Sequence, residues 1–287
     1  MGLVINTNVS SLIAQRNLAN NSAKVKSSFE KLASGLRINR AADDAAGLSI
    51  SETLKTQIRG NEKAVANAQD GVNILQIAEG ALGVISDNLQ RIRELTVQAA
   101  NDTNASTERT AIAREIAERM KDINRIAEST RGSNVNLLNG TMSVFNLQIG
   151  ANSDPATNVL DVGPVMGNAT CESLGFSTNI TAISTGTGGA LSSGDACRTL
   201  LNDIDDAITS VSSKRSHLGA LQNRLESTVE SLSVSIENLK STNARIRDLD
   251  IAAESAELTK NQILQQSALS VLAQANQAPQ LALKLLA

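Results

Sequence analysis

The chain contains no tryptophan, no tyrosine and only three phenylalanines among its 287 residues. Aromatic side chains normally supply the bulk of a compact core or of a cofactor pocket, whereas long helices packed side by side do not need them. Proline is also scarce, occurring only at Pro155, Pro164 and Pro279, which leaves two long stretches free of helix breakers. These absences favour a fold of long packed helices.

Charge and hydropathy exclude further classes of protein. The net charge is -3, and the basic residues alternate with acidic ones, which disfavours nucleic-acid binding through phosphate neutralisation. No apolar run approaches the roughly 20 residues that span a bilayer, and the first residues lack the pattern of a cleaved signal peptide. We expect no nucleic-acid partner, no membrane insertion, and either a cytoplasmic location or export without a cleaved signal.

Few residues offer catalytic chemistry. His217 is the only histidine, so a two-histidine zinc motif cannot form, and a histidine beside an apolar helical stripe is mostly structural or solvated. Asp43 and Asp44 are adjacent, and neighbouring helical positions point about 100° apart, so the two carboxylates cannot easily share a proton. We predict no enzymatic activity, no cofactor and no metal site.

The C-terminal third carries a heptad repeat. An apolar residue recurs every seven positions at Ile204, Val211, Leu218, Leu225, Leu232, Leu239 and Ile246. This period is typical of a long helix in a coiled-coil-like bundle.

The N-terminal half carries matching stripes. One consists of Leu75, Ala78, Leu82, Ile85, Leu89, Ile92 and Ala99, and a second, after turn-forming residues, of Ile112, Ile116, Met120, Ile123 and Ala127. They predict a long helix, a turn and a shorter helix. Residues 132–196 are instead rich in glycine, serine, threonine and asparagine, and residues 144–149 alternate as a strand does. The fold class is therefore mainly α: a long antiparallel helical bundle with a small β-hairpin region.

Weaker apolar stripes at both ends predict N- and C-terminal helices that pair with each other. A single copy would bury little apolar area there, against an ordering cost of about 1–2 kcal/mol per residue. We therefore hypothesise that both ends are disordered in the monomer and fold only when other copies supply the missing surface. Protease treatment of the monomer that left both ends intact would contradict this.

The two cysteines, Cys171 and Cys197, lie toward either end of the glycine-rich segment. Outside the cell, a disulfide that closed this loop would add roughly 3–4 kcal/mol. In a cytoplasmic protein both would be ordinary buried thiols. The residues alone leave both alternatives open.

Four long motifs carry a resemblance to a known family. They are LVINTNVSSLIAQRNL, SSFEKLASGLRINRAADDAAGLSISETLKTQIRG, NLQRIRELTVQAAN and, at the C-terminus, ILQQSALSVLAQANQAPQLALKLLA. They closely resemble bacterial flagellin over about residues 1–150 and 200–287, and the chain is similar to the short flagellins that have only the two inner layers. The resemblance implies a structural subunit that assembles into the helical flagellar filament, a motor-driven propeller for motility.

The resemblance also implies a domain division and partners. Residues 1–43 and 249–287 would form an inner coiled-coil domain that lines the filament channel. Residues 44–248 would form an outer helical bundle with a β-hairpin and a short variable loop near 150–196. Type III export would make the protein extracellular, and the expected partners are other flagellin copies, an export chaperone at the C-terminal helix, and the hook–filament junction and cap proteins.

Two sets of residues are predicted to contact neighbouring subunits. Arg37, Arg40, Asp43 and Asp44 belong to the segment that joins the two domains in this family, where charge-assisted hydrogen bonds would set the register between copies. The second set consists of Leu264, Leu269 and Leu272 in the C-terminal helix.

A further contact is implied for the vertebrate Toll-like receptor for flagellin. The matching residues are Leu89, Gln90, Arg91 and Leu95, with Glu115. Since the same face packs between subunits, we expect subunit packing to be its primary role, with activation by released monomer as a by-product. The rival interpretations are a flagellar junction protein and a coiled-coil adhesin or effector.

Overall fold

The computed structural model describes residues 8–132, 135–142, 144–176 and 194–286, with the side chains of 164, 165, 176, 194 and 278–286 left aside. Three helices come first: α1 (Val9–Ser34), α2 (Ala45–Ala99) and α3 (Ser106–Ser129). Two more end the chain: α6 (Gly194–Arg247) and α7 (Ile251–Leu286). The predicted mainly α fold is confirmed. The glycine-rich part of the predicted variable loop, 177–193, lies outside the described residues.

Short elements fill the segment between α3 and α6. Strands β1 (Arg131–Gly132) and β2 (Val135–Asn136) form one antiparallel pair. Strand β3 (Asn146–Gln148) pairs with β4 (Val159–Asp161), with Leu147 opposite Leu160. The one-turn helices α4 (Pro155–Asn158) and α5 (Gly163–Met166) and a π-helical turn (Glu172–Phe176) complete the segment. The strand predicted at 144–149 is thus present, and it forms a hairpin.

Side chains and one glycine fix the ends of the terminal helices. Asn8 caps α1 by accepting a hydrogen bond from the Ser11 amide at 3.1 Å. The same helix ends at Gly35, whose φ of 68° is a left-handed conformation that glycine adopts without steric cost. Asp250 caps the start of α7, because its Oδ1 accepts hydrogen bonds from the backbone amides of Ala252 and Ala253. These residues are the ordinary start and stop signals of helices.

The chain divides into two compact units. Unit 1 comprises Met1–Ile58 and Glu237–Ala287, and unit 2 comprises Arg59–Ile236. The domain boundaries predicted at 43/44 and 248/249 both fall inside unit 1. The reason is that residues on the two sides of those boundaries bond to each other: Arg37 Nη2 donates to the Ile246 carbonyl at 2.6 Å, and the Arg37 amide donates to the Arg247 carbonyl at 2.7 Å.

Unit 2 contains the apolar core. Every residue of the two stripes predicted in α2 and α3 is buried, as are Ile204, Val211, Leu218 and Leu225 of the heptad repeat. Leu147 and Leu160 of the hairpin belong to the same cluster. Fully buried aliphatic side chains contribute about 1.5–3 kcal/mol each, so unit 2 has the stabilising surface that the sequence pattern predicts.

The heptad repeat continues beyond the point where its residues are buried. Leu232 in unit 2, and Leu239 and Ile246 in unit 1, are only half-buried. Within the described residues, no helix is both long enough and apolar enough to span a membrane.

Candidate assembly surface

The terminal helices α1 and α7 pack against each other in antiparallel directions. The Asn8 side chain donates to the Ala275 carbonyl at 2.7 Å, and the Gln265 side chain donates to Ser22 Oγ at 3.0 Å. At the far end of α1, Leu36 forms an isolated antiparallel bridge with Asp248. Contacts therefore run along the whole described pair, and the pairing predicted for the two ends of the chain is observed.

The buried residues in the seam of this helix pair are small or polar. Its buried residues on α1 are Ser11, Ala14 and Ser28, and Asn261 of α7 is only 2% exposed. Ser11 Oγ lies 2.8 Å from Asn276 Oδ1, but Oδ1 of Asn261 is buried without a hydrogen-bond partner. A buried unsatisfied polar atom costs about 1–3 kcal/mol, so the seam contributes much less stability than an apolar one would.

Many large apolar side chains of unit 1 are instead exposed. On the N-terminal side of unit 1 the exposed ones are Val9, Leu12, Ile13, Phe29 and Ile50, and on α7 they are Ile251, Ile263, Leu264, Leu269 and Val271. The third predicted leucine, Leu272, is half-buried. A groove of about 410 Å³ lies between the helices, with Asn17, Lys24, Leu264 and Val271 among its lining residues. Where such exposed apolar side chains lie together, they mark an interaction site.

The segment between α1 and α2 is held to the end of α6 by Arg37. Its guanidinium Nη2 donates to the Ile246 carbonyl at 2.6 Å, and its backbone amide donates to the Arg247 carbonyl at 2.7 Å. Arg40 forms an ion pair with Glu30 at 3.0 Å. Both predicted interface arginines thus have partners within the chain, while their side chains stay exposed.

The two adjacent aspartates have separate structural roles. Asp43 Oδ2 accepts from the backbone amides of Asn39 and Arg40 at 3.1 and 2.9 Å. These two bonds favour the ionised form and lower the pKa of Asp43 below its usual value. Asp44 caps α2, since its Oδ1 accepts from the Gly47 amide at 2.9 Å.

Gly47 allows this segment to approach the helix closely. A Cβ at Gly47 would lie 2.8 Å from Cδ1 of Ile38 and would also collide with the Asp44 carboxylate. Ile38 itself is only 2% exposed. The close approach of Ile38 to Gly47 is therefore a small apolar contact in an otherwise polar segment.

The predicted receptor motif divides into buried and exposed residues. Leu89 and Leu95 lie in the core of unit 2, so they cannot contact a receptor while the bundle is folded. Gln90, Arg91 and Glu115 are exposed. Arg91 forms ion pairs with Glu94 at 2.8 Å and with Glu115 at 3.5 Å, and these carboxylates raise the pKa of Arg91.

Both cysteines are free thiols, and both are buried. The Cys171 amide donates to Asn124 Oδ1 at 2.8 Å, and burial raises the pKa of the Cys171 thiol to about 12. Burial also raises the pKa of Cys197, whose nearby charges include Arg109. The Cys171 thiol also donates to the Met120 carbonyl at 3.4 Å. No disulfide joins the two cysteines in this structure.

Several contact residues were absent from the sequence prediction. The seam residues Ser11, Asn261 and Asn276 are polar, and polar residues carry no signal in a search for apolar stripes. Their spacing reveals nothing about the partner helix. None of the described residues gathers into a histidine, cysteine, aspartate and glutamate cluster that could hold a metal ion.

A helical core and terminal helices with exposed apolar side chains are typical of a structural protein that assembles with other copies. The flagellin N-terminal helical region profile matches residues 5–143, and the C-terminal helical region profile matches residues 201–286. The chain therefore belongs to the bacterial flagellin family.

Full-length relatives agree with this assignment. A flagellin of Halalkalibacterium halodurans is 41% identical over 99% of this chain and 100% of its own length. The flagellar filament 33 kDa core protein of Treponema phagedenis is 40% identical over the same shares of the two chains. A putative flagellar hook-associated protein of Vibrio parahaemolyticus shares the fold, with a TM-score of 0.56 and 15% identity over 72% of this chain and 98% of that one. The chain is a structural subunit of the flagellar filament, an extracellular structure that serves motility.

Proposed function

We propose that the outward apolar faces of α1 and α7 are the contacts through which neighbouring copies pack in the filament. The observation that carries this proposal is the exposure of Leu264 and Leu269, at 42% and 51%, on one helix of a pair whose buried seam residues are small or polar. Each large aliphatic side chain that a neighbour covers would contribute about 1.5–3 kcal/mol. A filament needs contacts between two different surfaces that do not close into a ring, and two distinct helix faces provide them.

Residues 37–44 serve this assembly in two ways. Within one copy, the bonds of Arg37, Asp43 and Asp44 fix the path of the chain from α1 into α2. Between copies, the exposed guanidinium groups of Arg37 and Arg40 retain donors that a neighbouring carboxylate or carbonyl would accept. Exposed pairs of this kind contribute specificity and register more than stability.

The domain roles follow from the same assignment. We infer that residues 1–43 and 249–287 line the filament channel and that residues 44–248 form the outer layer. The division of the chain into units supports two layers, although residues 44–58 and 237–248 group with the terminal helices. The small and polar residues of the seam also support a monomer whose ends stay unfolded until assembly, because the helix pair alone gains little from packing.

Further partners are proposed for the same surfaces. An export chaperone would cover the leucine face of α7 before assembly, and the junction and cap proteins would meet the terminal helices at the filament ends. A Toll-like receptor would contact unit 2 through Gln90, Arg91 and Glu115, the exposed members of the motif. We also propose that the protein has no enzymatic activity, in keeping with a purely structural family.

The proposal is tested by reassembly. Purified protein is heated to monomers, cooled with short filament seeds, and examined by negative-stain electron microscopy beside a chain that lacks residues 249–287. The full chain should form long uniform tubes, and the truncated chain should form none. A truncated chain that polymerised normally would exclude the terminal helices as the main contacts.

A second outcome of the same experiment distinguishes a filament subunit from a junction protein or a coiled-coil adhesin or effector. If the full chain remained a discrete helical oligomer in the presence of seeds, a junction-protein or coiled-coil function would be favoured instead. Titration of seeds distinguishes slow nucleation from an inability to elongate.

A further inference from the structure

We propose that Asn139 and Gly140 form a site of spontaneous deamidation that the surrounding structure promotes. The Asn-Gly dipeptide occurs once in the chain, at these positions, in the described segment that follows β2. Glycine has no Cβ, so its backbone nitrogen can approach the side-chain amide of the preceding asparagine closely. This approach is the first step in converting asparagine to aspartate.

Thr141 stabilises the reacting oxygen. Oδ1 of Asn139 accepts hydrogen bonds from the Thr141 amide at 3.1 Å and from the Thr141 hydroxyl at 2.6 Å. Attack on Cγ of Asn139 transfers negative charge to Oδ1. Donors that already point at an atom where charge develops lower the barrier without further reorganisation.

The nucleophile is available at Gly140. This residue has a φ of 75° and is exposed, so water can accept the proton that its amide must lose. Among the hydrogen bonds of the described residues, none has the Gly140 amide as its donor. The reaction therefore breaks no backbone hydrogen bond at this residue.

The chemistry requires only water as a co-reactant. The deprotonated Gly140 nitrogen bonds to Cγ of Asn139, the bond from Cγ to the side-chain nitrogen breaks, and that nitrogen leaves as ammonia with the proton. Water then opens the five-membered succinimide ring. Opening at one carbonyl gives aspartate, and opening at the other gives isoaspartate, whose backbone is one atom longer.

The longer backbone would disturb a tight contact. A Cβ built on Gly140 would lie 2.8 Å from Cβ of Asn168, so the two segments have little spare room. Lys214 Nζ donates to the Asn168 carbonyl at 2.8 Å, and the Ala169 amide donates to the Leu138 carbonyl at 2.9 Å. Isoaspartate at 139 would loosen these bonds, so its accumulation would record the age of a subunit.

Three versions of the full chain test the proposal: the original sequence, Thr141→Val and Thr141→Ser. Each is incubated at mildly alkaline pH, and isoaspartate is measured by labelling with isoaspartyl methyltransferase and by peptide mass spectrometry. Thr141→Val keeps the shape and the backbone donor but removes the hydroxyl, so modification at Asn139 should slow several-fold. Thr141→Ser restores the hydroxyl and should restore the rate.

Two controls make the result decisive. Asn139→Gln should abolish the label at this position, because a glutamine cannot form the five-membered ring. Asn152, which precedes Ser153 in an exposed turn, gives the rate of an ordinary asparagine in the same sample. Equal or faster modification in Thr141→Val, or a rate at Asn139 no higher than at Asn152, would overturn the proposal.

Discussion

Arg37 and Ile246 lie 209 positions apart in the sequence, yet the Arg37 guanidinium donates to the Ile246 carbonyl at 2.6 Å. The bond joins the segment after α1 to the last turn of α6. Carbonyls of the last helical turn have no partner within the helix, and Arg37 satisfies one of them. The chain therefore returns at residue 246 to the point where it left the first helix.

Loss of an exposed leucine of α7 should impair assembly and leave the folded core intact. For Leu269→Ser we expect a loss of about 1.5–3 kcal/mol per subunit contact, which raises the critical concentration for filament growth more than tenfold. Sedimentation of filaments over a range of protein concentrations measures this. Val234→Ser is the control, since Val234 is as exposed as Leu269 but lies on α6; an equal loss there would argue against a special role of α7.

Removal of the unsatisfied amide oxygen of Asn261 in the seam should stabilise the helix pair. Asn261→Leu eliminates a buried polar atom that has no partner, and we expect a gain of about 1–3 kcal/mol in the pairing of α1 with α7. The helical content of the monomer, measured by circular dichroism, and its resistance to protease should both rise. Ile263→Leu, at an exposed neighbouring position, should change neither quantity.

A methyl group at Gly47 should weaken the filament. Gly47→Ala introduces a Cβ 2.8 Å from Ile38, and overpacking of this kind typically costs about 1–3 kcal/mol. The temperature at which filaments dissociate should fall. Gly80→Ala is the matched control, because its Cβ would meet nothing within 4 Å and alanine in a helix interior is favoured by about 0.5–1 kcal/mol; a comparable fall there would contradict the packing argument.

Filament stability should decrease in acid through Asp43. Its pKa in the folded chain lies below the ordinary value of 3.8 because two backbone amides bind the carboxylate. The contribution of such a group is fully present above pH 3.8 and disappears as the pH falls through the folded pKa. Asp43→Asn should remove this part of the acid sensitivity. Light scattering during acid titration measures the midpoint of dissociation, and an unchanged profile in the variant would exclude Asp43 as a contributor.

The two thiols should react only after unfolding. Burial raises the pKa of Cys171 to about 12 and also raises that of Cys197, so the reactive thiolate is almost absent at neutral pH. Iodoacetamide should label neither residue in the folded protein and both in denaturant. Rapid labelling of Cys171 in the native state would show that its packing is looser than described.

The heptad repeat and the shorter stripes identified the core correctly because burial in a helix follows a period that the sequence displays directly. Leu82, Ile116 and Leu218 are all fully buried, as their positions predict. The repeat did not reveal that Leu239 and Ile246 are only half-buried. Periodicity identifies the face that packs and says nothing about how closely a partner covers it.

The structural roles of residues 37–44 were predicted only in part. The sequence marked Arg37, Arg40, Asp43 and Asp44 as a charged group with an interface role, and that role remains a prediction. It did not reveal that Asp43 binds the preceding turn or that Asp44 caps α2. Those bonds depend on the backbone path, which a residue pattern does not specify.

By itself, the sequence determined the helical class, the residues of the core, the strand at 144–149 and the pairing of the two ends, because each follows from local periodicity or from motifs of known type. Only the tertiary structure decided that Ser11 and Asn261 are buried in the terminal seam, that Ser11 bonds to Asn276, and that many large aliphatic residues of the same helices are exposed. The sequence pattern around a polar residue on a helix surface is the same whether water or a second helix covers that residue. Its role depends on a partner more than two hundred residues away.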